Sequence, residues 1–276
     1  MLIKYEVLKL QNANFNSYLC RIKSQKLISM FEFLTNRRTI RKYTDKKIDT
    51  ELLEKMLEAA SQASNTGNMQ TYSVVVTTDD EIKKQLAPAH FNQRMVMQAP
   101  AVLTFCADFN RFSQWCIQRN AEPGYGNFQS FMAAAIDALI FAQTFAIAAE
   151  TAGLGICYLG TTTYNAQEII ELLQLPKLVV PVTTITLGYP DDVLAITDRL
   201  PLQSVLHYER YTNFTPEKID LLYTQKEELE IYKNFVAENN KNTLAQVFTD
   251  VRYTRKNNEF FSEKFMKALI QQGFLE

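Results

Sequence analysis

The chain has 276 residues, 47% of them hydrophobic, with 29 Lys and Arg against 30 Asp and Glu, a formal net charge of −1, and only eight glycines and eight prolines. This balance excludes a disordered or fibrous chain and argues against a dedicated nucleic-acid binder, which carries a basic excess. The length suffices for a sizeable core, in one α/β domain or one and a half smaller ones.

Residues 1–29 mix basic, polar and apolar side chains without an uninterrupted apolar core, so no export signal is expected and they read as an N-terminal extension. The stretch ISMFEFLTNRRTIRKY then predicts a short helix and a turn that packs Arg37, Arg38, Arg41 and Lys42 together. A helix follows in DTELLEKMLEAASQAS, with Asp49 as N-cap and Glu51 in the first turn, stopping near SNTGN. TYSVVVTTD (71–79) and APAVLTFCADF (99–109) read as strands, separated by the short helix DDEIKKQLA. The most apolar stretch predicts a helix over 127–151, stopped by Gly153. It approaches the ~20 residues that span a bilayer, but Asp137, Gln143 and Glu150 interrupt it, so a buried helix of a soluble protein is expected. Because it is apolar on more than one face, a dimer partner could cover one of them.

GICYLGT and VVPVTTITLGYP are two further strands around the short helix NAQEIIELLQL, which Pro176 ends. Beyond Pro201 the strand signal stops. Thr215 and Pro216 open a helix predicted to run to residue 239, SEKFMKALIQQG closes the chain as another, and 240–258 between them is polar and basic. Neither a GxGxxG nor a P-loop pattern is present. Cys20, Cys106, Cys116 and Cys157 show no CxxC spacing, and His90 and His207 stand in no ligand motif, so we expect no metal site and a reducing, cytoplasmic setting.

Four stretches could carry chemistry. The arginine cluster, with the Thr39 hydroxyl between two of its members, suits a phosphate, and equally reads as a solvated basic face. ASNTGNMQTY (63–72) offers amides and hydroxyls for a ring edge or a sugar, and is also what a turn uses. In AGLGICYLGTT, Gly153, Gly155 and Gly160 either admit a flat ligand or simply cap a helix and lead into a strand. ITDRLP places Arg199 in a loop leaving a strand.

Taken in order, RRTIR (37–41), SNTGNMQ (64–70), CADFNR (106–111), AAETAGLGICYLG (148–160), LGYP (187–190) and DRLP (198–201) resemble the nitroreductase family of flavin mononucleotide (FMN) oxidoreductases, in its subgroup of larger oxygen-insensitive nitroreductases and flavin reductases. The resemblance implies an α+β fold: a three-layer α/β/α sandwich with a mixed, mainly antiparallel central sheet, a long core helix at a dimer interface and a helical C-terminal tail. The extension 1–29 would precede an FMN-binding core, 30–205, and a helical excursion, 206–276. FMN as cofactor, NADH or NADPH as donor, a small-molecule acceptor such as a nitroaromatic, quinone or free flavin, and a homodimer with no nucleic-acid or membrane partner are implied with it.

Carried over by the resemblance, Arg37, Arg38 and Thr39 hold the flavin phosphate and ribityl chain, and Arg41 lies toward the pyrimidine side of the ring, where a cation stabilises the reduced form. Gln93 meets the pyrimidine edge; Ser64, Asn65, Thr66 and Asn68 lie against the flavin; Tyr158, Gly160 and Thr161 pass over the ring; Arg199 binds the phosphate. No side chain acts as nucleophile or obligatory base. The chain departs from the pattern at Thr161, where a second glycine is usual, at Thr197, where a lysine is usual, and at Val236 and Asn242, where NADPH-preferring relatives carry arginines. Other flavin chemistry on the same scaffold, reductive dehalogenation or flavin fragmentation, is the alternative. A nucleic-acid module using RRTIRK and RYTRKNN is the remote one, opposed by the balanced charge.

Overall fold

The computed structural model describes residues 24–192 and 194–276, so most of the expected extension lies outside the described residues. Contacts divide the chain into two units: the part up to Arg38 together with Ala195–Thr197, and Thr39–Leu194 together with Asp198–Glu276. In the first unit, helix α1 (Ser24–Thr35) is the short helix expected ahead of the arginines. It ends where the Asn36 amide donates to the Glu32 carbonyl at 3.0 Å.

The second unit is built on four strands, β1 (Tyr72–Thr77), β2 (Ala101–Asp108), β3 (Gly155–Leu159) and β4 (Val179–Gly188). They run in the order β1-β2-β4-β3, and every pairing among them is antiparallel, the strict form of the mainly antiparallel sheet expected. The helices are α2 (Thr50–Ala60), α3 (Asp80–Leu86), α4 (Arg94–Gln98), α5 (Asn110–Gln118), α6 (Phe128–Thr151), α7 (Ala166–Leu172), α8 (Pro216–Glu227), α9 (Glu230–Glu238) and α10 (Arg255–Gln272).

Strand β2 is buried at every position, which is why its sequence is apolar but for Thr104 and Asp108 and shows no alternation. On one face Leu103, Phe105, Ile156 and Ile185 pack against Leu53 of α2 and Phe141 and Phe145 of α6. On the other, Val102, Cys157 and Leu159 meet Leu86, Val96 and Ile169 from α3, α4 and α7. These are the three layers of the expected sandwich. By length and composition α6 could cross a membrane, yet it serves as the core helix of this sheet, with Phe131, Ala138 and Phe145 buried. Its outer side leaves Phe128, Met132, Ile136, Leu139 and Ile140 exposed.

Side-chain caps open five of these helices, from Asp49, Asp79, Asn127, Thr215 and Thr254. The Asp49 carboxylate accepts from the Glu51 and Leu52 amides at 2.8 and 3.3 Å, as the sequence predicts. Helix α5 was not anticipated: its N-cap is Phe109, and the side chain that meets its first amides is the last residue of a strand, Asp108, which accepts from the Asn110 and Arg111 amides at 2.8 and 3.3 Å.

The expected single helix over 215–239 is two, α8 and α9, broken at Leu229, whose ψ is 132°. The cause is a polar knot. Lys226 Nζ lies 2.8 Å from Asp198 Oδ2 and 2.7 Å from the Tyr232 hydroxyl, which in turn donates to Asp198 Oδ1 at 2.5 Å. On an unbroken helix those two residues would point about 120° apart, given ~100° per residue. Breaking it lets both reach one carboxylate. The segment 240–258, for which no element was expected, contains a single turn, Leu244–Gln246, with a Thr243/Gln246 capping box, and a π-helical turn, Val247–Arg252. The closing helix starts earlier than predicted and ends at Gly273, φ 83°. There the Leu178 amide donates to the Gln272 carbonyl at 2.9 Å, and Phe274, 0% exposed, packs beside Phe131.

Candidate functional site

The stretch after the first arginines is held against the sheet. The Ile40 amide donates to the Ile156 carbonyl of β3 at 3.0 Å, and the Thr44 amide to the Tyr189 carbonyl at 2.9 Å. The Tyr43 hydroxyl lies 2.8 Å from the Ile40 carbonyl and 2.7 Å from the Thr186 hydroxyl. Burial pushes this phenol far up, so it stays neutral at the base of the segment. Two glycines make the approach possible. A Cβ on Gly155 would stand 2.6 Å from Ile40 Cβ, and one on Gly188 2.8 Å from Tyr43 Cδ1. With Ile40 and Tyr43 turned inward, Thr39 is half-buried and Arg41 exposed. Both therefore flank a residue hydrogen-bonded to β3, the strand that carries Tyr158.

The loop from Ser64 to Thr71 forms a second cluster. Gly67, Asn68 and Gln70 are all left-handed, with φ of 55°, 54° and 53°. Asn65 Oδ1 accepts from the Gln70 amide at 3.3 Å, and the Arg111 guanidinium donates to the Gln70 carbonyl. Asp137 of α6 accepts from the Thr66 amide at 2.9 Å and from the Thr66 and Thr71 hydroxyls at 3.0 and 2.9 Å. Ser64, Thr66 and Asn68 are exposed, Asn65 half-buried.

A third cluster joins Gln93 to Thr161 through His90. The imidazole is 0% exposed, with Nδ1 2.9 Å from the Thr161 hydroxyl and Nε2 without a hydrogen-bond partner. Desolvation pulls its pKa down to about 4, so the ring is neutral near pH 7. The Gln93 amide donates to the His90 carbonyl at 3.2 Å, across a turn whose Phe91 and Asn92 have φ of 54° and 53°. Next to Thr161, a Cβ on Gly160 would meet nothing within 4 Å. Neither its φ nor its protein neighbours require a glycine there.

Arg199 is exposed, its Nη1 2.9 Å from the Asp198 carbonyl. Burial opposes the charge of the Asp198 carboxyl, but the hydrogen bonds from Lys226 and Tyr232 hold it below the usual range. Arg37 and Arg38 belong to the first unit and are half-buried; Arg38 Nε is buried with no hydrogen-bond partner.

The model of the nitroreductase family matches residues 34–189. The chain belongs to the nitroreductase family. A Bacteroides fragilis protein of solved structure, described as an oxidoreductase, is 57% identical with a TM-score of 0.88, covering 89% of this chain and 100% of that one. A Bacillus subtilis protein named FMN reductase, NAD(P)H, is 38% identical over 182 residues, 65% of this chain and 73% of its own. An oxygen-insensitive NADPH nitroreductase of Salmonella typhimurium is 33% identical over 180 residues, with the same coverage of 65% and 73%.

Within this nitroreductase-family fold, the sequence reading missed His90 and Asp137, which hold Thr161 and Thr66 from behind, and Asp198, whose carbonyl accepts from Arg199 while its carboxylate ties Lys226 and Tyr232. Asp137 had a signal, a charge in an otherwise apolar helix; His90 had none, since its partner lies 71 positions away.

Proposed function

We propose that the protein is an FMN-dependent NAD(P)H oxidoreductase that passes hydride by a ping-pong course from a nicotinamide, through flavin N5, to a nitroaromatic, quinone or free flavin. The observation that carries this reading is the docking of 39–44 on the sheet, with Ile40 bonded to β3 and Tyr43 to β4. Thr39 and Arg41 thus flank a residue bonded to β3, the strand that carries Tyr158 and ends at Leu159, just before Gly160 and Thr161.

Taken unit by unit, the residues suit the two parts of such a cofactor, an anionic phosphate in the first and a flat ring in the second. Arg38 has a buried donor without a partner, and Gly160 leaves open space where a Cβ would stand. The guanidinium groups of Arg37, Arg38 and Arg199 and the Thr39 hydroxyl would hold the phosphate by charge-assisted hydrogen bonds. Arg41 would place its cation at the pyrimidine side, with Gln93 reading that edge. Ser64, Asn65, Thr66 and Asn68 would face the flavin from their loop, and Tyr158, Gly160 and Thr161 would cover the ring. None of these side chains need exchange a proton with substrate, so their work is orientation, charge placement and exclusion of water.

Residues 30–205 would carry the FMN site and 206–276 a helical excursion. The apolar side of α6, with Ile136 50% and Leu139 46% exposed, supports a homodimer. The balanced charge and four cysteines without CxxC spacing favour a cytoplasmic enzyme.

An absorption spectrum of the gently purified protein tests the function. Flavin bands that bleach on adding NADH or NADPH without oxygen are expected, and the donor that bleaches them is the preferred one. A colourless protein that takes up no added FMN overturns the reading.

A further inference from the structure

Asp137 lies in the middle of α6 and is 1% exposed. A carboxylate in such a place is costly unless its oxygens are hydrogen-bonded. Both are, and the donors come from the loop and not from its own helix: Thr66 N–H and hydroxyl on Oδ1, at 2.9 and 3.0 Å, and the Thr71 hydroxyl on Oδ2, at 2.9 Å. Thr66 and Thr71 bracket the left-handed residues Gly67, Asn68 and Gln70. Left-handed backbone at a residue other than glycine persists only when its surroundings over-determine it. One carboxylate thus grips the strained segment at both ends.

The grip comes from a rigid support. Phe141, one turn further along α6, stacks on Tyr72 with ring centroids 4.4 Å apart, and Tyr72 follows Thr71 directly. The loop and the start of β1 are therefore fixed to the same face of one helix.

Resting on the FMN reading above, we infer that Asp137 is a positioning residue for the cofactor: its buried carboxylate on α6 holds the loop 64–71 in its left-handed shape, so that Asn65 and Asn68 are set before FMN arrives. Ordering the loop in advance removes that cost from the binding step. Asp137 itself touches neither cofactor nor substrate.

The test is FMN titration of the full-length apo-protein, as wild type, D137N and T71V, with backbone amide exchange of residues 65–71 measured in each before FMN is added. D137N keeps the shape and removes the charge; T71V deletes only the Oδ2 bond. We expect the FMN dissociation constant of D137N to rise about tenfold or more, on the scale of hydrogen bonds to a charged group. The amides of 65–71 exchange faster in D137N while those of β2 and β4 are unchanged, a split that general destabilisation would not produce. T71V moves both readouts the same way by less, and T71V alone carries the test if D137N does not fold. The double variant falls short of the sum of the two, because T71V removes a bond whose acceptor D137N has already altered. If wild type binds FMN and the variants bind it equally well with unchanged loop exchange, the inference falls and the proposed function stands. If wild type binds no FMN, the proposed function falls and takes this inference with it.

Discussion

His90 makes the stability of this protein depend on pH in a window that few other groups reach. Its pKa is lowered to about 4 from an ordinary 6.5 by burial, so folding excludes a proton that the unfolded chain accepts below about pH 6.5. The sign follows: the contribution is complete above about pH 6.5 and is lost progressively as the pH falls toward the folded value. At ~1.4 kcal/mol per pH unit, roughly 2 kcal/mol disappears between about pH 6.5 and pH 5, and on the order of 3 kcal/mol by about pH 4. The perturbation is His90→Asn, which leaves an amide within reach of the Thr161 hydroxyl and cannot titrate. The assay is urea unfolding of both proteins at pH values from about 5 to 7.5. His207, the other histidine, is common to both and cancels in the comparison. The variant is expected to be less stable at neutral pH, from the smaller side chain, but with a flatter dependence below about pH 6.5. Parallel curves for the two proteins would refute the reasoning, since they would mean that His90 titrates alike in the folded and unfolded chain.

Four further outcomes follow from the geometry. Gly155→Ala puts a Cβ 2.6 Å from Ile40 and is expected to cost about 1–3 kcal/mol in thermal or urea unfolding. Gly160→Ala, in open space, is expected to leave the unfolding midpoint in place while weakening FMN uptake; a falling midpoint would count against its ligand-facing role. Lys226→Met removes the cation shared by Asp198 and Tyr232, and limited proteolysis should then cut faster at the break near Leu229. Ile136→Glu places a charge on the exposed stripe of α6 and should shift sedimentation toward the monomer; an unchanged dimer would move the interface elsewhere.

Legibility tracked the range of the interaction that decides each feature. Asp49 and Thr215 cap helices whose first amides are two or three residues away, and such local pairings can be read from sequence. The strands were legible because β2 and β4 are short runs dominated by apolar and β-branched residues. The break between α8 and α9 was not, because it answers to Asp198, 28 and 34 positions from its partners. The candidate side chains were legible only as an ordered set, with each stretch alone ambiguous; of their supports Asp137 showed as a charge in an apolar helix, but its partners, like those of the break, lie far off in sequence. A buried His90 opposite Thr161 is a contact between distant turns, and composition gives no hint of it.

The docking of 39–44 also bears on solubility. Strands β1 and β3 end the described sheet, and an end strand offers unpaired amides and carbonyls on which another chain can template itself. Along β3 that invitation is withdrawn by Ile40, whose amide takes the Ile156 carbonyl. The segment proposed to set charge beside the flavin is thus also a guard against edge-to-edge aggregation. Substitutions that unseat Ile40 would confound the two roles, losing protein to precipitate before any loss of cofactor could be measured, whereas Thr39 and Arg41 can be altered with the guard still in place.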